Sequence, residues 1–137
     1  MPEKPVDLSA SELEVLSVLW DEGPSTVRQV HAHLHRSGRR IAYTTVLTFL
    51  TRLEQKSVVT SDKSGMAYIY RPALTRDRIR RSRLKSLVEQ LYDGAAGELV
   101  LQLIKTQRFS ANEIDQLREL VDRLDRKGKP DSTESEG

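Results

Sequence analysis

The chain contains no cysteine, which excludes disulfides, thiolate metal sites and cysteine nucleophiles together, and with them any cysteine-based redox or copper switch. That composition fits a reducing compartment. No apolar run approaches the roughly 18 residues that a membrane helix requires, and the stretch from Met1 to Leu8 lacks the basic and apolar regions of a signal peptide. A cytoplasmic protein with no membrane partner is therefore expected. There is no glycine-rich phosphate loop and no nucleophile motif around a serine, so no enzyme and no cofactor are expected. Aromatic residues are only 5% of the chain, and in its second half Tyr92 and Phe109 stand nearly alone, leaving little with which to line a ligand pocket.

What is present fits 137 residues: one ordinary domain, or a small domain with an oligomerisation appendage. Hydrophobic residues make up 37% and charged residues 31%, enough for a core under a charged surface that suits helices better than a sandwich. The net charge is only +2, but it is segregated. Residues 1–23 hold six acidic side chains and one basic, whereas residues 24–56 hold six basic and one acidic. Residues 76–92 add six basic against two acidic. A basic excess in the middle of the chain points to a polyanionic partner.

The local signals divide the chain into short elements. Ser9 and Glu12 have capping-box spacing, with Leu8 and Leu13 placed as a hydrophobic staple, and Leu13, Leu16, Leu19 and Trp20 recur at helical spacing until Gly23 and Pro24. Ser25 or Thr26 can cap a second helix with Val27, Val30 and Leu34 on its apolar stripe, ending at Ser37 and Gly38. A third helix starts near Tyr43 without a good cap and carries Val46, Phe49, Leu50 and Leu53 to about Lys56. Then the period changes. Val58 to Thr60 and Ala67 to Tyr70 are β-rich runs around a turn containing Gly65, a predicted hairpin that Pro72 ends.

Thr75 opens a long helix to Gly94, a further helix spans about Ala95 to Thr106, and a second capping box, Ser110 with Glu113, starts the last one. From Lys127 onward the residues are polar and aperiodic. The fold class expected is mostly α with a small β-hairpin, a winged helix-turn-helix followed by a helical dimerisation segment. The division expected is 1–74 for the winged helix, 75–126 for the dimerisation domain and 127–137 for a disordered tail.

In a winged helix the third helix enters the major groove. Its outer face here would be Thr44, Leu47, Thr48 and Thr51 with Arg52 beside them. Threonine hydroxyls can bond phosphates or base edges, and threonine methyl groups or leucine can touch thymine. The plain alternative is a solvated face, although lysine or glutamate would be the more usual occupants of an idle one. Arg28, Arg36, Arg39, Arg40, Arg52 and Lys56, with Lys63 in the hairpin turn, are candidates for phosphate contacts that position the helix without reading sequence. Thr26, Tyr43 and Thr45 join the candidate DNA-binding set.

His31 and His35 lie four apart on a helix and could share an ion, but no third ligand is near, and no metal is expected. The plainer reading is a surface helix whose His31 borders the apolar stripe. The stripes Leu84, Leu87, Val88 and Leu91, then Leu99 and Leu103, then Ile114, Leu117 and Val121 exceed what a short appendage hides by itself. Packing back on the winged helix and pairing with a second copy are both open, and a homodimer matches the dyad symmetry of most operators.

Several of these stretches resemble the penicillinase-repressor (BlaI/MecI) family: Leu8 to Leu16, Leu19-Trp20, Gly23-Pro24, Thr26-Val27-Arg28, Ala42 to Val46, Thr51 to Glu54, Tyr68 to Pro72 and Glu113 to Leu120. The resemblance implies a bacterial transcriptional repressor, a homodimer whose winged helices occlude a promoter at a dyad-symmetric stretch of double-stranded operator DNA. It further implies relief by a sensor-linked protease that cuts the C-terminal segment. The stretch cut in staphylococcal members, Val-Leu-Asn-Phe, corresponds here to Val100-Leu101-Gln102-Leu103, which makes Gln102-Leu103 the matching bond. The cysteine pairs of the copper-responsive members have no counterpart. Two other functions fit the same elements, a winged helix used for protein contacts and a repressor that senses a small molecule between its C-terminal helices.

Overall fold

A computed structural model describes the backbone of residues 6–136 and the side chains of residues 6–127. The element order is α1 (Ala10–Glu22), β1 (Ser25–Thr26), α2 (Val27–Arg36), α3 (Tyr43–Gln55), β2 (Val59–Asp62), β3 (Ile69–Pro72), α4 (Arg76–Tyr92), α5 (Ala96–Thr106) and α6 (Ala111–Glu136). Two compact units divide this chain, the first running to Leu91 and the second from Tyr92.

Helix starts follow the capping chemistry. Ser9 Oγ accepts from the Glu12 N–H at 3.1 Å, and Glu12 Oε1 accepts from the Ser9 N–H at 2.9 Å, so two otherwise orphaned donors are satisfied at the start of α1. Gly23, at φ 82°, ends that helix in a conformation that a side chain disfavours. Thr26 and Gln29 form the same reciprocal pair for α2. Ser110 and Glu113 do so for α6. The Thr75 hydroxyl accepts from the Arg78 N–H at the start of α4.

The first unit packs α1, α2 and α3 around one core. Val15, Leu16, Leu19, Val30, Val46, Leu50, Leu53 and Val58 are completely buried there. Each such aliphatic side chain contributes about 1.5–3 kcal/mol through water exclusion. The predicted hairpin is present as β2 and β3, and a further strand extends it. The result is a three-stranded antiparallel sheet in the order β1-β3-β2, because Ser25 and Thr26, just before α2, pair with Tyr70 and Ile69. Opposite, Val59 to Asp62 pair with Pro72 to Ile69 in register. Two residues carry too little pattern for a period-2 signal, which is why β1 is invisible in the sequence.

The division at residue 74 also differs. Ile79 of α4, only 1% exposed, sits in the core of the first unit. Trp20 Nε1 donates to the Leu74 carbonyl at 2.9 Å, Arg76 pairs with Asp21 at 2.6 Å and lies over the Trp20 ring, and Arg83 donates to the Leu8 carbonyl at 2.7 Å. These contacts place α4 with the winged-helix unit, which runs to Leu91. In the second unit, α6 continues as backbone helix to Glu136 where a tail was expected from Lys127. The side chains of 128–137 lie outside the described residues.

Candidate nucleic-acid interface

Helix α3 buries Val46, Leu50 and Leu53 and turns its other side outward, as 3.6-residue periodicity requires. Tyr43, Thr44, Leu47, Thr48, Thr51 and Arg52 are all exposed on it, Tyr43 at 47% and Leu47 at 38%. An exposed Tyr and Leu among threonines make a surface of short or flat groups that another surface can approach closely. Thr48 donates its hydroxyl hydrogen to the Thr44 carbonyl at 3.0 Å. It therefore offers outward a methyl group and an oxygen that can only accept.

Not every candidate joins this face. Thr45 is half-buried. The Thr26 hydroxyl is occupied as the cap of α2, and the residue lies in β1. Among the arginines, Arg28, Arg36, Arg40 and Arg52 are exposed and make no side-chain hydrogen bond or ion pair among the described residues. Arg39 is engaged: its Nε donates to both carboxylate oxygens of Glu14, at 2.9 and 2.8 Å. Lys63, beyond β2, lies 3.9 Å from Glu54 and over the Tyr68 ring at 5.6 Å.

Lys56 leaves the candidate phosphate contacts for the scaffold. Its ammonium donates to Glu12 Oε1 and to the Asp7 carbonyl, each at 2.7 Å. Glu12 is 3% exposed. Burial, the largest influence, pushes its carboxyl up, but the Lys56 hydrogen bond, the Ser9 N–H and the Lys56 charge outweigh burial and hold it below 4.5.

The wing, β2 and β3 with their turn, is fastened to α3 by Glu54, which accepts from the Ser61 hydroxyl as well as facing Lys63. At the turn, the hydroxyl and then the N–H of Ser64 hold the Asp62 carboxyl below its ordinary value. Tyr70, buried beneath, has its phenol raised by burial first and by the Glu54 charge next. Replacing Glu54 by Ala should cost about 1 kcal/mol. Amide exchange in β2 should quicken while that in α1 stays as it was, and an unchanged β2 would show that the sheet alone holds the wing.

His31, His33 and His35 are separately employed. His31 meets the Ile41 carbonyl, His33 lies 3.6 Å from Glu22, and His35 stacks on His31. Among the described residues no three His, Asp or Glu side chains converge as a metal set.

The residues expected in a dimer seam divide three ways. Leu91 of α4, Leu103 of α5, and Ile114 and Val121 of α6 are exposed, Val88 and Leu117 are half-buried, and Leu99 is buried within the chain. Leu84 and Leu87 are exposed but line an open groove with Leu13 and Trp20 of α1. Leu101 and Leu120, exposed at 57% and 52%, widen the apolar surface beyond the predicted stripes.

Sequence reasoning missed the anchoring side chains: Gln29, Glu14, Glu54 and the contact of His31. Only Gln29 left a signal, the Thr26-to-Gln29 spacing of a capping box. Glu14 and Glu54 meet partners 25 and seven residues away, Arg39 and Ser61, that no local pattern links to them.

Three short helices, the third with its outer face free, followed by a wing paired back to the start of the second, define a winged-helix protein of the class that reads duplex DNA. The family model described as penicillinase repressor matches residues 8–123. A transcriptional regulator BlaI of Mycobacterium tuberculosis is 35% identical over 116 residues, 83% of this chain and 82% of the relative. A penicillinase repressor of Staphylococcus aureus is 25% identical over 127 residues, 93% of this chain and all of the relative. The solution structure of the DNA binding domain of the repressor BlaI aligns with a TM-score of 0.48 at 27% identity, covering 55% of this chain and 90% of that one. The chain belongs to the penicillinase-repressor (BlaI/MecI) family. No helix among the described residues is long and apolar enough to cross a membrane.

Proposed function

We propose that this chain is a cytoplasmic, non-enzymatic transcriptional repressor that binds a dyad-symmetric operator as a homodimer. The observation that carries the reading is the outer face of α3: Thr44, Leu47, Thr48 and Thr51 stand exposed together, and the unpaired Arg52 flanks them. Thr48, with its hydrogen already given to Thr44, accepts from an exocyclic amino group or packs its methyl on thymine. Tyr43 and Thr45 at the helix start, with Thr26, border the groove. Arg28, Arg40 and Arg52 are free to meet phosphates, whereas Arg39 and Lys63 would first exchange Glu14 and Glu54 for them.

A second copy covers the apolar surface of α5 and α6 in this reading. Val100, Leu101, Leu103 and Ile104 are each more than 40% exposed on one helix, an exposed apolar cluster of the kind that marks a protein contact. Ile114, Leu117 and Val121 of α6 add to the surface offered to the second copy, and Leu84, Leu87, Val88 and Leu91 of α4 are candidates for contact with it from the first unit. Leu99, already buried, supports α5 from within. Relief of repression is a cut by a sensor-linked protease in α5. Gln102 and Leu103 are exposed there, and the helix must open locally to present their peptide bond in extended form.

The test is an electrophoretic mobility shift of the full chain on DNA from its own upstream region and on an unrelated duplex across a salt series. Binding should be tight and dyad-dependent on the first duplex and weak on the second. Arg52→Ala should weaken both and reduce the salt slope by about one, as loss of a single phosphate contact does. Thr48→Val should instead alter the preference among operator sequences. Equal, weak binding to both duplexes by the unmodified chain would overturn the operator reading in favour of a winged helix that contacts protein.

A further inference from the structure

The end of α3 that leads into the groove has no side chain of its own to cap it. Ala42 occupies the cap position and makes no side-chain hydrogen bond. A helix start left this way has free N–H groups and a loosely fixed direction. Here the direction is set from α2. The His31 ring, half-buried, places Nε2 2.8 Å from the Ile41 carbonyl oxygen. A carbonyl can only accept, so Nε2 carries the hydrogen. The same ring meets Tyr43 edge-on, with centroids 6.0 Å apart at 65°, and is backed by the stacked His35 ring at 6.2 Å. One side chain thus touches the residues on both sides of Ala42.

We propose that His31 is a positioning residue for operator recognition. It fixes the entry of the chain into α3 and so sets where Tyr43, Thr44 and Leu47 stand against base edges, without itself touching DNA. This rests on the operator reading above. Base-edge hydrogen bonds depend steeply on distance and angle, whereas phosphate attraction does not. Loosening the first turn of α3 therefore lowers specific affinity and leaves nonspecific affinity as it was.

The experiment compares the full-length chain with His31→Phe, which keeps a ring without the donor, and His31→Gln, which keeps a donor on a shorter side chain. Dissociation constants are measured on the chain's own operator and on an unrelated duplex, with amide hydrogen exchange of each free protein. His31→Phe should weaken operator binding about tenfold, the scale of one well-placed hydrogen bond, with the unrelated duplex unaffected. His31→Gln should recover most of that loss. Exchange at the Thr45 and Val46 amides, which bond to the Ala42 carbonyl, should quicken in His31→Phe while Leu50 and Leu53 exchange as before.

Equal loss on both duplexes, or exchange that quickens along the whole of α3, would reduce His31 to a stability residue and overturn the proposal. So would an unchanged ratio of the two affinities in His31→Phe. If the unmodified chain fails to discriminate the two duplexes, the operator reading falls as well, which separates that failure from the others.

Discussion

A fragment ending after Leu91 is expected to fold and yet to bind the operator roughly 100- to 10,000-fold more weakly than the full chain. It retains the complete winged-helix core, including Ile79, and every candidate DNA contact. What it loses is α5, α6 and the coupling proposed for them. Two half-site readers held together bind the second half-site at a high effective concentration, and separating them forfeits that gain without altering a single contact. Fluorescence anisotropy on the dyad operator measures the loss, and circular dichroism checks the fold. Equal affinity of fragment and full chain would defeat the dimer reading. Truncation at Leu74 should behave differently, because removal of Ile79 and Arg76 takes away about 2–4 kcal/mol of packing and leaves Trp20 uncovered.

Lys56→Met should destabilise the protein by about 2–3 kcal/mol at neutral pH, somewhat below the usual cost of orphaning a buried charge because Lys56 itself is partly exposed. The pH dependence identifies the cause. In the natural chain Glu12 is held below 4.5, so its contribution is complete above the unfolded value and is lost as pH falls through the folded one. Without Lys56, two of the influences that lower the Glu12 carboxyl are gone and only the Ser9 hydrogen bonds oppose burial, so the variant loses less stability than the natural chain as pH falls. The two stabilities should converge in acid. Urea unfolding between pH 3 and 7 reads this, and a gap of constant size would show that Lys56 acts through packing alone.

The helices were legible in the sequence because their caps and stripes are local. Ser9 with Glu12, Gly23, Ser110 with Glu113, and the run Val46, Leu50, Leu53 each carry their meaning within a few residues. The exposed face of α3 followed from the buried one, since periodicity fixes both. What was not legible depends on partners distant in sequence. Lys56 looked like one more surface cation among arginines, and only the fold brings it 2.7 Å from Glu12, 44 residues away. Ile79 stands five residues before the α4 stripe that begins at Leu84, so a single apolar residue had to be weighed apart from that stripe. β1 has two residues and exists only because β3 arrives beside it.

That short strand also bears on how the molecule can let go of DNA. Ser25 and Thr26 are bonded to the wing while Thr26 caps α2, and Glu54 ties the wing to α3. The start of α2, the wing and α3 are thus cross-braced into one reading head. In the proposed dimer, uncoupling two such heads would release DNA without reshaping either one. If the uncoupling is a severed peptide bond, each molecule responds once, and silence returns at the pace of new synthesis rather than at the pace at which the stimulus fades.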